Sequence, residues 1–179
     1  MLLELKPHPD TPCEAVSSII VEVARPRPTS LSLGFRLEGD LSSIVVPGWV
    51  RRSRADELWK TTCFEAFVED GRGGYYEFNL SPSGQWAAYG FSGYREGMAA
   101  HPGVELRALD RQASAGRLEL AATLDLDRLG LAPDRVWRLG LSAVIEETSG
   151  RKSYWALAHP PGKPDFHHPD SFACVLEPS

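Results

Sequence analysis

Three of the five histidines of this 179-residue sequence lie close together near its C-terminal end, in the segment ALAHPPGKPDFHHPDSF. They are His159, His167 and His168, and Asp165 and Asp170 lie beside them. Imidazole and carboxylate groups bind metals when they converge in a defined geometry. His167 and His168 are adjacent, so in extended backbone their side chains point to opposite sides. The segment is therefore predicted to form a pocket wall or a proline-stiffened turn, with aspartates capping backbone amides, rather than a metal site.

A second group of polar residues falls on two predicted strands, CFEAFVED and YYEFNLS, which the turn EDGRGG joins as a hairpin. Alternation along each strand places Glu65 on one strand face, and Glu77 and Asn79 on one face of its neighbour. If the strands pair, the three side chains share one sheet surface among aromatic residues. Buried polar groups need partners, and a ligand can supply them, so this surface is a candidate binding site.

Tryptophan and arginine residues extend the list of candidates. Trp86 is predicted to be a core residue, whereas Trp59 and Trp155 suit a pocket wall or the core equally well. Arg95 could bind a carboxylate or the hydroxyls of a ligand, or form a salt bridge with an acidic residue of the chain.

Catalytic and calcium-binding patterns are weak. The sequence has no nucleophile elbow, zinc-protease motif, dinucleotide fingerprint or phosphate-binding loop. Glu65 and Glu77 could act as the two carboxyl groups of a glycosidase, although many strand pairs would suggest the same. Calcium could bind near Glu146, Glu147, Asp125 and Asp127, but solvated strand ends are the favoured interpretation.

Hydrophobic residues alternate with polar ones along most of the chain, as in TSLSLGFRLEG and VWRLGLSAVI. Further short segments of this kind, separated by glycine and proline turns, bring the predicted strands to about ten, among them SSIVVPG. Helical turns are predicted only in ADELWKTT and DLDRLGL. This pattern predicts one all-β domain over residues 1–179, an antiparallel β-sandwich of jelly-roll or immunoglobulin-like type.

The composition limits the classes of partner. A formal net charge of -5 disfavours nucleic-acid binding, and no apolar run is long enough to span a membrane. Three cysteines at irregular spacing and no visible signal peptide predict reduced thiols and a cytoplasmic location. The sequence does not indicate the oligomeric state.

The order of these motifs resembles a known superfamily. Trp59, then Glu65, then a Tyr-rich strand and SPSG, and later LDLDRLGLAPDRVWRLGLSAVIEETSGRKSYWAL, are similar to DOMON-like domains, in particular to family 9 carbohydrate-binding modules. The resemblance spans roughly residues 14–177. It implies two antiparallel sheets and non-catalytic binding of a small polar ligand such as a saccharide. Two aromatic rings would clamp the sugar, with Trp59 as one and Phe166 or Trp155 as the other.

Taken together, these patterns predict a ligand pocket whose ligand could belong to more than one class. The predicted ligand-binding residues are Trp59, Glu65, Asn79, Arg95, Trp155, His159, Asp165, Phe166 and His167. Because some DOMON relatives bind haem b, the chain could instead be a haem-binding redox module that uses Met98 and one of the three clustered histidines. The sequence is also compatible with an enzyme and with a structural or protein-interaction domain. No cofactor or metal is predicted for the leading hypothesis.

Overall fold

A computed structural model describes residues 1–179. The chain forms thirteen strands and four short 3-10 turns, the turns at Leu41–Ser43, Leu58–Lys60, Asp127–Leu129 and Pro169–Ser171. The strands are β1 (Leu2–Pro7), β2 (Val16–Arg27), β3 (Ser30–Gly39), β4 (Ser53–Arg54), β5 (Cys63–Glu69), β6 (Tyr75–Leu80), β7 (Gln85–Phe91), β8 (Ala99–Ala100), β9 (Glu105–Ser114), β10 (Arg117–Asp125), β11 (Trp137–Glu146), β12 (Lys152–Ala156) and β13 (Cys174–Leu176).

Eleven strands form one continuous hydrogen-bonded path in the order β4-β7-β6-β5-β11-β12-β1-β2-β3-β10-β9, and β13 and β8 pair off this path with β11 and β7. Strand β1 joins the two halves of the path, because Leu2–Leu5 pairs with β2 whereas Lys6–Pro7 pairs with β12. All pairs are antiparallel except β4 with β7. The all-β prediction is therefore confirmed, but the prediction of purely antiparallel strands is wrong at this pair, and the strands form one curled sheet.

The curl packs one half of the sheet against the other. Phe35 of β3 and Phe64 of β5 stack with their ring centroids 4.9 Å apart, although β11, β12, β1 and β2 lie between β3 and β5 along the path. Both rings belong to one cluster of 34 buried side chains drawn from both halves. Burial of this apolar surface, at about 25 cal/mol per Å², is the main stabilisation of the fold.

The face of β5, β6 and β7 that points away from this core is buried as well. A second apolar cluster lies there, to which the C-terminal loop (residues 157–173, between β12 and β13) contributes Phe166 and Phe172. Phe172 packs against Phe67 and Tyr75, and Phe166 packs against Tyr154. Strand β5 consequently has six of its seven residues buried. This covered outer face holds the candidate site.

Several local predictions match the structure. EDGRGG joins β5 to β6, SPSG joins β6 to β7, and the two predicted helical turns occur at Leu58–Lys60 and Asp127–Leu129. The segment SSIVVPG is not a strand, and of its residues only Ile44 forms an isolated bridge, with Glu147. Pro47 lacks the N–H that a central strand requires, which accounts for the irregular backbone there. None of the helical turns has the length and apolar character needed to cross a membrane.

Candidate functional site

A cavity of about 340 Å³ opens on the outer face of β5, β6, β11 and β12. Its floor consists of alternate residues of those strands, which the pairing of β5 with β6 and β11, and of β11 with β12, brings side by side. The C-terminal loop and the turn after β7 form its rim. The lining residues are Trp59, Glu65, Glu77, Phe91, Arg95, Met98, Val144, Tyr154, Pro164, Phe166 and His167.

Two buried carboxyl groups lie in the cavity floor. Glu65 and Glu77 are 3% and 4% exposed. Glu65 pairs across the sheet with Asn79, whose side-chain amide donates a 2.6 Å hydrogen bond to Glu77 Oε1. The hydroxyl of Ser142 donates to Glu65 Oε2 over 3.4 Å. The predicted shared surface of Glu65, Glu77 and Asn79 is confirmed.

Burial makes both carboxyl groups weak acids. Removal from water raises the pKa of Glu77 to about 7, against the opposing effects of the Asn79 amide and the Arg95 charge. Burial also raises the pKa of Glu65 well above its usual range, and the neighbouring Glu77 charge adds to this effect. At neutral pH, Glu77 is therefore close to its midpoint, and burial shifts Glu65 toward its protonated form.

His167 is held neutral against an aromatic wall. Its ring packs edge-on to Phe67 and Phe91 at centroid distances of 5.3 and 5.2 Å, and its Nδ1 forms a 2.7 Å hydrogen bond with the hydroxyl of Tyr75. Its Nε2 lies 3.9 Å from Glu77 Oε2. Burial, together with the charge of Arg95, lowers the pKa of His167 to about 4.

The adjacent His168 points away from the cavity. Its Nδ1 accepts a hydrogen bond from the backbone N–H of Asp170. This difference between the two neighbouring rings matches the expected opposite orientation of consecutive side chains in extended backbone.

Arg95 and Asp165 tie the two parts of the cavity rim together. An Arg95 guanidinium nitrogen lies 2.8 Å from Asp165 Oδ1, and the Tyr94 hydroxyl donates to Asp165 Oδ2. Asp165 Oδ1 also accepts from the backbone N–H of His167 at 3.1 Å. Burial opposes ionisation of Asp165, but these hydrogen bonds outweigh it and lower the pKa of the carboxyl group. Arg95 has a positive φ of 56°, and its own N–H donates to the Tyr75 hydroxyl at 3.2 Å.

Aromatic rings supply much of the remaining wall. Trp59, in the turn before β5, packs edge-on to Tyr89 at 5.7 Å. Tyr154 of β12 and Phe166 of the loop pack against each other at 6.0 Å. A half-buried tryptophan with exposed ring surface in a cavity is able to stack on an apolar ligand face.

Five of the nine predicted ligand-binding residues line the cavity, namely Trp59, Glu65, Arg95, Phe166 and His167. Asn79 lies beneath it, bonded to Glu77, and Asp165 lies behind Arg95. Trp155 points into the inner core, where its indole N–H donates to Ser153. His159 lies elsewhere and bonds the carbonyl of Lys6 through Nε2. The predicted positions of Trp155 and His159 in the pocket are therefore wrong.

Six lining residues were not among the predicted ligand-binding residues, namely Glu77, Phe91, Met98, Val144, Tyr154 and Pro164. Tyr154 is the neighbour of Trp155 and faces the opposite side of β12, so only a prediction of Trp155 as a core residue would have placed Tyr154 in the pocket. The loop that carries Met98 gave no comparable signal.

The structure contains no group of three histidine, cysteine, aspartate or glutamate side chains positioned to hold a metal ion. Two of the acidic residues considered for calcium are paired with arginines. Glu147 bonds Arg151 at 2.8 Å, and Asp125 bonds Arg107 at 2.6 Å.

Comparison with known proteins shows a similarity in fold. No family model matches the sequence, and no curated protein matches it. The structure is similar to that of a Bacteroides uniformis protein proposed to bind carbohydrate, with a TM-score of 0.66 and 13% identity over 100% of this chain and 86% of that one. It is also similar to a family 9 carbohydrate-binding module from Caldicellulosiruptor kristjanssonii in complex with glucose, with a TM-score of 0.54 and 7% identity over 98% of this chain and 84% of that one. The chain therefore has a fold like that of family 9 carbohydrate-binding modules.

Proposed function

We propose that this protein binds a small saccharide, without converting it, in the cavity on the outer face of β5 and β6. The observation that carries the proposal is the composition of that cavity: aromatic rings lie beside buried carboxyl groups in a volume of about 340 Å³. Small-molecule sites are typically clefts of roughly 300–1,000 Å³ with an apolar lining and a few fixed polar groups.

The chemistry of the wall suits a sugar. Trp59 offers a ring for the C–H face of a pyranose, and the Tyr154–Phe166 pair offers a second apolar surface. A protonated Glu65 can donate a hydrogen bond to a hydroxyl as well as accept one. Of the two similar structures compared above, one is of a protein proposed to bind carbohydrate and the other is of a family 9 module in complex with glucose, which supports this ligand class.

We further propose that the two facing halves of the curled sheet correspond to the two sheets of a DOMON-like β-sandwich. The support is the stack of Phe35 on Phe64, which packs one half on the other as in a sheet-on-sheet core.

The haem hypothesis has less support from the same residues. Met98 and His167 both line the cavity, but Tyr75 occupies the Nδ1 of His167. The remaining ring nitrogen, Nε2, has the Glu77 carboxyl group 3.9 Å away. A ligand at Nε2 would share its space with this carboxyl group, which supports the saccharide proposal over the haem hypothesis.

A second candidate function is glycoside hydrolysis. Glu65, Glu77 and His167 line one cavity, and the pKa of Glu77 is about 7 whereas that of Glu65 lies well above its usual range. Glycosidases use one protonated and one ionised carboxyl group on either side of the scissile bond. Incubation with chromogenic aryl glycosides tests this candidate, because a binding protein releases no aryl alcohol.

Calorimetric titration with a panel of mono- and disaccharides tests the binding proposal. We expect at least one sugar to bind, and Trp59→Ala to weaken its affinity by roughly tenfold or more, equivalent to about 1.4 kcal/mol. The matched control is Trp49→Ala, which removes an exposed tryptophan that does not line the cavity. If no sugar in the panel produces heat, or if both variants lose affinity equally, the proposal is wrong.

A further inference from the structure

The cavity has two carboxyl groups in its floor and one arginine in its wall, and only the arginine is bonded to a side chain of opposite charge. Two carboxyl groups, Glu65 and Glu77, lie in the floor with no lysine or arginine bonded to either. Arg95 is the only arginine in the wall, and Asp165 already pairs with it at 2.8 Å. His167 is neutral at neutral pH, because burial lowers its pKa to about 4. Neither carboxyl group of the floor is therefore bonded to a protein cation, and the Arg95 charge acts on Glu77 alone, where it only partly opposes the effect of burial.

Of the two carboxyl groups, Glu65 has the weaker hydrogen bonding within the protein. It is 3% exposed and lines the cavity, and the one hydrogen bond of its side chain within the protein is the long one from Ser142, at 3.4 Å. An ionised carboxylate without a charged partner is costly at such a site. A cation held in the cavity would remove that cost and would form charge-assisted hydrogen bonds, which are stronger than neutral ones.

The wall above the carboxyl groups also suits a cation. Trp59, Phe91, Tyr154 and Phe166 line the same cavity. The faces of aromatic rings attract ammonium groups, most strongly where water is excluded. Acidic floor and aromatic wall are independent features of the cavity, and both favour a positively charged group over a neutral one.

We propose that the preferred ligand is a cationic amino sugar, whose ammonium group binds at Glu65 and Glu77 while its ring lies against the aromatic wall. This inference rests on the proposed saccharide function and specifies the ligand class within it. The ammonium group donates hydrogen bonds to the two carboxyl groups, which ionise when it binds.

Titration of matched sugars at pH 7 tests the inference. The probes are glucose, 2-amino-2-deoxyglucose, 6-amino-6-deoxyglucose, and the N-acetyl form of each amino sugar, which removes the charge. We expect one amino sugar to bind about tenfold more tightly than glucose, as a charge-assisted bond in place of a neutral one implies. Its N-acetyl form should lose this advantage.

Proton release gives a second and independent readout. The titratable and charged groups that face Glu77 are Glu65, Cys63, Tyr75, His167 and Arg95. Because an ammonium group promotes ionisation of the two glutamates, the heat of binding should vary with the ionisation enthalpy of the buffer for 6-amino-6-deoxyglucose, which stays protonated at pH 7. Glucose should show no such dependence.

Substitution of one carboxyl group links the preference to the cavity floor. Glu77→Gln should bring the ratio of the glucose and amino-sugar dissociation constants close to one. The control Glu69→Gln makes the same change on β5 at a residue that pairs with Arg138 and lies outside the cavity, so the ratio should persist.

The outcomes separate this inference from the proposed function. Binding of glucose with equal or weaker binding of both amino sugars overturns the inference and leaves saccharide binding in place. Loss of the preference in Glu69→Gln as well as in Glu77→Gln also overturns it. The absence of binding to every sugar overturns both.

Discussion

At the residue scale, Glu77 has the environment with the clearest pH signature. Burial raises the pKa of this carboxyl group from 4.5 to about 7. A carboxyl group whose pKa is raised on folding holds its proton more tightly in the folded chain than in the unfolded chain. Its contribution to stability is therefore fully present below about pH 4.5 and is lost as the pH rises through 7.

Replacement of Glu77 by glutamine removes this loss. We expect the stability of Glu77→Gln relative to wild type to increase between pH 5 and pH 8 by on the order of 3 kcal/mol, from the shift of the pKa. Urea unfolding of both proteins at several pH values measures the difference. A difference that stays constant with pH would contradict the assigned burial of Glu77.

The contribution of His167 to stability depends on pH in the opposite direction and must be treated separately. Burial lowers its pKa from 6.5 to about 4, so its contribution to stability is present above pH 6.5 and is lost as the pH falls toward 4. In the wild type, the effects of His167 and Glu77 oppose each other between about pH 4.5 and 6.5. Comparison with the Glu77 variant separates them, because His167 is common to both proteins.

Sequence alternation identified the floor residues but not all of the wall. Glu65, Glu77 and Asn79 could be assigned to one surface because they lie on two strands joined by a recognisable hairpin. The family resemblance suggests Trp155 as a second clamping ring, whereas its side chain faces the core and its neighbour Tyr154 faces the cavity. Which side chains of a short strand face the core depends on its pairing register with β11, and one sequence does not determine that register.

At the element scale, the C-terminal loop is positioned by side chains from elsewhere in the chain. Asp165 bonds Arg95 and Tyr94 from the turn after β7, and His167 bonds Tyr75 of β6. Within the loop, the hydroxyl of Ser171 donates to the carbonyl of Asp165 at 2.9 Å. These contacts hold the loop as one side of the cavity.

Asp165→Asn is expected to loosen this loop. The substitution removes the charge that pairs with Arg95 and weakens the acceptor for the His167 N–H, at a cost of about 1–2 kcal/mol for a partly exposed, charge-assisted contact. Hydrogen exchange at the His167 amide should accelerate. Asp170→Asn is the control, because the Asp170 side chain is 69% exposed and its ion pair, at 3.6 Å, is with His168 of the same loop. Equal acceleration in both variants would contradict a specific role for Asp165.

The loop is the element for which sequence reasoning was least complete. The prolines and the alternation of His167 and His168 indicated an ordered turn with one histidine facing inward, and the structure agrees. The partner of Asp165 could not be identified, because Arg95 is 70 residues away in sequence. His159 appeared to belong to the same cluster, but its Nε2 bonds the carbonyl of Lys6 in β1.

At the scale of the whole molecule, the curl of the sheet is what creates an inner core and a separate outer site. The inner face is filled by apolar side chains from both halves, whereas the outer face of β5 and β6 is covered by the loop. Strand periodicity predicted the all-β class. It did not predict that β1 would join two halves into one sheet, since that depends on pairing between the first strand and β12.

Phe35→Ala tests the packing of the two halves. Both Phe35 and Phe64 are buried, so removal of the ring leaves a cavity between the halves and should cost about 3–5 kcal/mol. Phe166→Ala removes a side chain only from the loop that covers the outer face, so it should lower the free energy of unfolding by less. The midpoints of urea unfolding measure both effects. An equal or larger loss for Phe166→Ala would show that the core is not centred on the contact between the halves.

The central claim is that a saccharide binds between Trp59 and the C-terminal loop. A crystal structure of the protein with the tightest-binding sugar from the titrations tests this claim most directly. We expect the sugar ring to contact Trp59, with a hydroxyl or ammonium group within hydrogen-bond distance of Glu65 or Glu77. A sugar bound elsewhere on the surface, with the cavity closed by Phe166 and Tyr154, would contradict the assignment of this cavity as the binding site.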